Sequence, residues 1–199
     1  MNVRSKVENV SEKKQAILEN MLELTEKHGL LGVSMSLLSK KAGVAAGTIY
    51  HYFESKDAII LELFIHVRKA ITHEIFKIKD RSTDDYGERL KNLWINLFQY
   101  FIENPKVLSF MEQFFSSPFQ RMIHSKESQF YEDNFSGFFL MGIKNGYIKK
   151  YDIHIISSIF MGGLTMAAKK QNNGYHKFST NELQNMASIV WDGLKNKND

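Results

Sequence analysis

Apolar residues at helical spacing, interrupted by few short breaks, run along almost the whole of this chain. Only 2 Pro and 12 Gly occur among its 199 residues. In the clearest stretch an apolar residue recurs at every fourth position, which puts five side chains on one helix face: Ile59, Leu63, Val67, Ile71 and Ile75. Short strands joined by frequent turns would need more breaks, so the sequence predicts an all-α fold.

The breaks divide the chain into about nine predicted helices. The first is expected to begin after a cap at Ser11 and to end at Gly29. Two short helices flank Gly43, and a long fourth helix follows them. We therefore expect an N-terminal three-helix domain at residues 1–56 and a larger helical domain at residues 57–199.

Two further predictions concern the connections within the larger domain. The polar segment 81–87, Arg-Ser-Thr-Asp-Asp-Tyr-Gly, is expected to link the fourth helix to the fifth. A later helix is expected from about Lys126 to Lys144, where Asn145-Gly146 would end it. Two more helices would complete the chain.

Residues 34–53 have the pattern of a helix-turn-helix. Ser34 can cap the first short helix, and Gly43 gives the backbone the freedom that a sharp turn needs. The second short helix begins with side chains small enough for close approach to DNA, and then carries a dense set of hydrogen-bonding groups: Thr48, Tyr50, His51 and Tyr52. An ordinary helical hairpin is the alternative, but such a hairpin would seldom carry two Tyr and one His in five residues. A DNA major groove, about 12 Å wide, admits one such helix.

The residues of this stretch resemble the DNA-binding signature of the tetracycline-repressor (TetR) family of bacterial regulators. The matching pattern is Ser34-Met35-x-x-Leu38-Ser39-x-x-Ala42-Gly43-Val44-Ala45-x-Gly47-Thr48-Ile49-Tyr50-x-Tyr52-Phe53-x-Ser55-Lys56-Asp57. The resemblance implies that Phe53 belongs to the core. It also implies DNA contacts from Ser34, Ser36, Ala45, Ala46, Gly47, Thr48, Tyr50, His51, Tyr52 and Lys56.

Two positions depart from the family's pattern. Position 46 often carries Lys, Arg or Gln in the family and here is Ala46, and position 36 often carries Arg and here is Ser36. A bidentate arginine contact to guanine is therefore missing from the recognition helix. We expect base specificity to depend on apolar contacts, Tyr, His and DNA shape.

Bulky apolar side chains are concentrated in the larger domain, where 12 of the 15 Phe lie from Phe98 onward. An ordinary core explains any single one of them. The resemblance implies instead an effector cavity beside the fourth helix, and few charges interrupt these helices, so we expect an apolar or lipophilic cationic ligand. The candidate ligand-binding residues are Phe64, Trp94, Phe98, Phe114, Phe138, Met141 and Met161.

The last two predicted helices are apolar over a wide arc, and Gly162 and Gly163 allow close helix approach. The resemblance implies that these helices form a four-helix homodimer interface with a second copy. The alternative is a monomer that buries the same faces internally. A twofold dimer would match a palindromic operator.

The sequence lacks the residues that several other classes of function require. The chain has no Cys, which excludes disulfides, thiolate zinc sites and cysteine nucleophiles. His66, with Glu62 and His73 on the same predicted helix, lacks further ligands at motif spacing, so we expect no metal site. We find no catalytic motif, signal peptide or membrane-spanning stretch, and expect a cytoplasmic protein without enzyme activity or cofactor.

We interpret the chain as a ligand-responsive DNA-binding transcription regulator, a homodimeric repressor released from its operator by a small-molecule effector. One alternative is a constitutive DNA-binding regulator whose C-terminal domain only dimerises. A second alternative is a helical ligand carrier or enzyme whose N-terminal domain is idle, that is, does not bind DNA. The net charge of +4 is mildly favourable for contact with phosphates and decides nothing alone.

Overall fold

The computed structural model describes residues 3–77, 85–124 and 134–196, and these residues form ten α-helices. The predicted all-α fold is confirmed. The helices are α1 (Val3–His28), α2 (Met35–Ala42), α3 (Ala46–Tyr52), α4 (Lys56–Lys77), α5 (Tyr86–Glu103), α6 (Pro105–Phe115), α7 (Gln120–His124), α8 (Asn134–Lys144), α9 (Ile153–Asn172) and α10 (Thr180–Leu194).

Several predicted helix boundaries were wrong. Ser11 lies within α1, which begins at Val3, because the residues before Ser11 include no Gly or Pro that would end a helix. Tyr86 and Gly87 belong to α5 rather than to the linker, because Asp85 caps that helix by accepting a hydrogen bond from Glu88 N at 3.0 Å. The rest of the linker, residues 81–84, and the expected helix start at Lys126 lie outside the described residues.

The described residues divide into two compact units. The head unit comprises α1–α3, α4 as far as Arg68, and residues 106–124; the body unit comprises residues 69–77, α5 with Pro105, and residues 134–196. Packing therefore divides the chain within α4, whereas the boundary predicted after residue 56 is a functional division and stays a prediction.

Buried apolar side chains from α1, α2, α3 and α4 form the core of the head unit, with those of α6. Leu38 and Ile49 are fully buried, and the ring of Phe114 on α6 stacks on Phe64 of α4 with 4.1 Å between centroids. Gly29 ends α1 with φ 73°, a left-handed conformation that favours glycine, and its N–H donates to Thr25 O at 3.0 Å.

Helix α5 packs against α9 and α10 in the body unit. Trp94 is fully buried, and its Nε1 donates a hydrogen bond to Phe160 O at 3.1 Å. The Tyr86 ring stacks on Phe138 at 4.7 Å and on Tyr147 at 5.0 Å between centroids, and its hydroxyl donates to Phe138 O at 3.1 Å. Burial raises the pKa of the Tyr86 hydroxyl above its ordinary value.

A capping box starts α10, because Ser179 Oγ accepts from Glu182 N and the Glu182 carboxylate accepts from Ser179 N at 2.8 Å.

Candidate nucleic-acid interface

The predicted helix-turn-helix is confirmed and consists of α2, a three-residue turn and α3. Ser34 caps α2, where its Oγ accepts a hydrogen bond from Leu37 N at 3.1 Å. Gly43 ends α2 with φ 65°, and the next residue, Val44, donates through its N–H to Ser39 O at 3.1 Å. This left-handed step turns the chain sharply enough for α3 to begin at Ala46.

Buried side chains hold the two short helices in place. Leu38 of α2 and Ile49 of α3 are 1% and 0% exposed, and Phe53, which follows α3, is buried as the resemblance implied. The apolar faces of α2 and α3 are therefore turned into the head unit, which leaves the opposite face of α3 to solvent.

The first turn of α3 is exposed and nearly free of side chains. Ala45, Ala46 and Gly47 are all exposed, and a Cβ added at Gly47 would meet no atom within 4 Å. Beyond them Tyr50 is 51% exposed and His51 is exposed. A flat helix surface followed by hydrogen-bonding rings can approach a DNA groove closely.

The other residues predicted to contact DNA differ in how exposed their side chains are. Thr48 and Tyr52 are half-buried, and the Tyr52 ring packs edge-to-face on His51 at 5.4 Å. Ser34 and Ser36 are exposed at the start of α2. The ten predicted residues thus lie on α2 and α3, at the N-caps of these two helices, and at the start of α4.

Lys56 opens α4, and its side chain already has a partner within the chain. Its Nζ donates a hydrogen bond to Leu31 O at 2.9 Å in the turn between α1 and α2. An ammonium group has three donors, so this bond leaves donors for a phosphate. Nothing in the sequence pattern indicates this contact, because the two residues are 25 positions apart and the acceptor is a backbone carbonyl.

One nearby lysine is neutralised by a carboxylate. Lys41 Nζ, in the last turn of α2, lies 3.1 Å from Glu23 Oε2. Its hydrogen bond and positive charge hold the pKa of Glu23 below the ordinary value. This charge is therefore less available to phosphates than that of Lys56, whose partner is neutral.

The seven candidate effector residues belong to two different units. Phe64 and Phe114 stack on each other within the head unit. In the body unit, the rings of Trp94 and Phe98 are stacked, with 6.1 Å between their centroids. All five aromatic candidates are buried, and the two methionines, Met141 and Met161, are half-buried. Packing of these rings against protein atoms accounts for their burial, and the effector cavity stays a prediction.

A surface pocket of about 570 Å³ lies in the body unit, where α9 ends and the turn to α10 begins. It contains none of the seven candidates and is lined by Met166, Lys169, Lys170, Asn173, Tyr175 and His176.

One face of the last two helices is apolar and exposed. Exposed fractions are 52% for Ile155, 54% for Ile159 and 55% for Met166 on α9, and 71% for Ile189 on α10. On the same stretch of α9, a Cβ added to Gly163 would meet no atom within 4 Å. A single copy of the chain therefore leaves these side chains in water.

Two other kinds of site, a metal centre and a membrane-spanning helix, are absent from the described residues. Within them, no group of three or more His, Asp or Glu side chains is placed to hold a metal ion. No helix in the same part of the chain is long and apolar enough to cross a membrane.

Both parts of the chain match known family models. Residues 17–63 match the model described as bacterial regulatory proteins, tetR family. Residues 86–195, more than half of the chain, match a tetracyclin repressor-like C-terminal domain. A helix-turn-helix-type transcriptional regulator of Haemophilus influenzae is 37% identical over 95 residues, which cover 48% of this chain and 50% of that protein. The match thus spans half the length of this relative.

Solved structures share the fold along nearly the whole chain. A TetR family transcription regulator from Marinobacter aquaeolei has a TM-score of 0.78 at 21% identity, covering 96% of this chain and 99% of that one. The transcriptional regulator FadR from Bacillus subtilis, solved in complex with stearoyl-CoA, has a TM-score of 0.67 at 20% identity, covering 89% and 95%. At such identities the likeness shows the fold alone.

Proposed function

Since this chain belongs to the tetR family of bacterial regulatory proteins, we propose that it regulates transcription by binding double-stranded operator DNA through α2 and α3. The observation that carries the proposal is the first turn of α3, where exposed Ala45, Ala46 and Gly47 leave the helix surface flat. Tyr50, His51 and the start of α4 would then contact the backbone and flanking bases. We propose a cytoplasmic, non-enzymatic role.

The proposed assembly is a homodimer formed by the exposed apolar face of α9 and α10. Exposed isoleucines at positions 155, 159 and 189 favour a second copy, because burying them would remove apolar area from water. Gly163, with open space at its Cβ position, would let the helices approach closely. Twofold symmetry would present two copies of α3 to a palindromic site.

The proposed effector is a small apolar or lipophilic cationic molecule that binds the body unit and releases the operator. Two features support a lipophilic ligand: the concentration of Phe residues from Phe98 onward, and a structural neighbour whose solved complex holds stearoyl-CoA. Since that neighbour's ligand carries an acyl chain, the compounds to be titrated as effectors include acyl compounds as well as lipophilic cations.

DNA selection from a random duplex pool tests the proposed function. We expect the wild-type protein to enrich a palindromic sequence. Gly47→Leu is the matched non-binder, because a Cβ at this exposed position meets no atom of the chain within 4 Å and the leucine side chain would hold α3 off the groove. We expect it to fold normally and to lose specific binding, which typically exceeds non-specific binding by roughly 10³-fold or more. Equal enrichment by both proteins would refute the placement of α3.

Reciprocal titrations distinguish a switch from a constitutive regulator. An effector that releases the operator must bind more weakly to the DNA-bound protein by the same factor, typically about 5- to 150-fold. Equal effector affinity with and without operator would favour the constitutive alternative. Tight ligand binding together with no DNA binding at low salt would favour the ligand carrier or enzyme with an idle head.

A further inference from the structure

The side chain of Gln113, on α6, connects three groups in the head unit. Its Oε1 accepts a hydrogen bond from Leu30 N at 2.7 Å. Its Nε2 donates to Ser109 Oγ at 3.1 Å, one turn earlier on α6, and lies 3.4 Å from Thr25 O at the end of α1. The bond to Leu30 spans 83 positions of sequence, so it fixes two distant segments against each other.

The primary amide suits this place chemically. Leu30 offers a backbone N–H, which can only donate, and Thr25 offers a backbone carbonyl, which can only accept. The Ser109 hydroxyl holds the NH₂ group on the side of Thr25, which leaves the amide oxygen facing Leu30. A carboxylate would place an oxygen opposite the Thr25 carbonyl, and an apolar side chain would leave the Leu30 N–H without its partner.

The group that Gln113 holds is the turn that sets the start of the helix-turn-helix. Leu30 follows Gly29, the left-handed end of α1, and Val33, fully buried, precedes the α2 cap Ser34. The same turn accepts the Lys56 ammonium at Leu31 O. A displacement of Leu30 would therefore move both the beginning of α2 and a proposed phosphate contact.

The neighbouring residue of α6 contacts the other flank of the head unit. Phe114 stacks on Phe64 of α4, with 4.1 Å between centroids and 9° between ring planes. Consecutive residues of α6 thus contact the turn before α2 and the helix that follows α3. Along the chain the helix-turn-helix lies between these two contacts, so α6 packs on a segment before it and on a segment after it.

We propose that Gln113 is a positioning residue for DNA binding: through its amide, α6 sets the placement of the helix-turn-helix. This inference rests on the proposed function, and it identifies the contact through which a movement of α6 would change operator affinity. Gln113 itself does not touch DNA in this mechanism.

Gln113→Met and Gln113→Glu test the proposal, with Gln99→Met as the matched control. Gln99 lies exposed on α5 and bonds Glu103 within its own helix. Affinity is measured on the duplex that the wild-type protein selects from a random pool, well below each variant's melting temperature. Stoichiometric titration gives the active fraction, so partial unfolding is corrected for. Amide hydrogen exchange at Leu30 reports the local bond.

We expect both Gln113 variants to bind the selected duplex at least about 5-fold more weakly per active molecule, and Leu30 exchange to accelerate in Gln113→Met. Gln99→Met should match the wild type. Wild-type affinity in the Gln113 variants, even with a lowered melting temperature, would overturn the proposal and leave the residue a purely structural role. If the wild-type protein selects no duplex, the proposed function itself fails, which is a distinguishable result.

Discussion

Replacing Gly142 by Ala should destabilise the body unit, although alanine is the better helix former. A Cβ at this position of α8 would lie 2.5 Å from Tyr86 Cζ and closer still to the hydroxyl oxygen. The Tyr86 ring has little room to move, because it is 3% exposed and stacked on Phe138 and Tyr147. The substitution therefore displaces a packed ring and strains its hydrogen bond to Phe138 O.

The magnitude follows from three contributions. Overpacking costs about 1–3 kcal/mol, and loss of the hydroxyl bond costs about 0.5–1.5 kcal/mol. The higher helix propensity of alanine offsets about 1 kcal/mol of this cost. The free energy of unfolding should fall by about 2 kcal/mol, which lowers the melting temperature by roughly 4–8 °C in a chain of this size.

Gly137→Ala on the same helix provides the control, because Gly137 is exposed and its Cβ would meet no atom within 4 Å. That variant should gain about 0.5–1 kcal/mol. Thermal and urea unfolding followed by circular dichroism compare the two. Removing the hydroxyl with Tyr86→Phe should restore part of the stability of Gly142→Ala. A Gly142→Ala protein as stable as Gly137→Ala would refute the packing argument.

Three further predictions concern DNA, the dimer and pH. Lys56→Ala should weaken binding to all duplexes alike and make the slope of log affinity against log salt shallower by about 0.9 per protomer; an unchanged slope would remove Lys56 from the interface. Gly163→Arg should give folded monomers in analytical ultracentrifugation, because Gly163 is exposed in the single chain and a Cβ there meets no atom within 4 Å, whereas a close helix contact would bury the arginine charge. An intact dimer would contradict the proposed interface. Hydrogen bonds from Ser179 lower the pKa of Glu182 to about 2, so its stabilisation of the α10 start is complete above about pH 4.5 and lost as pH falls through about 2. Nuclear magnetic resonance titration of the Ser179 amide should show this loss at low pH. In Glu182→Gln, which has no carboxyl group to titrate, the Ser179 amide should not show this pH dependence.

Turn and cap chemistry could be read from the sequence because it depends on one residue at a time. Gly29 and Gly43 have positive φ, as their predicted roles at helix ends require. Ser34 forms its cap because its backbone is extended at the start of α2. Ser11 failed as a cap because the helix continues through it, and a serine hydroxyl alone does not stop a helix.

Contacts that depend on distant segments could not be read in the same way. The bond between Gln113 and Leu30 joins a side chain to a backbone N–H, and backbone groups are the same at every position. The effector site has a different obstacle. An aromatic residue such as Trp94 has the same sequence pattern whether its ring packs on a neighbour or lines a cavity, so its burial leaves the ligand-binding role a prediction.

The head unit is assembled from two separated stretches of chain, and this affects the order of events during synthesis. Ribosomes add about 5–20 residues per second, so Gln113 and Phe114 are made roughly 3–12 s after the last residue of α3. Throughout that interval the nascent helix-turn-helix lacks the amide partner of Leu30 and the ring that covers Phe64. A newly translated molecule therefore completes its DNA-reading surface only after α6 has emerged, and a fragment that stops before α6 should lack a stable head.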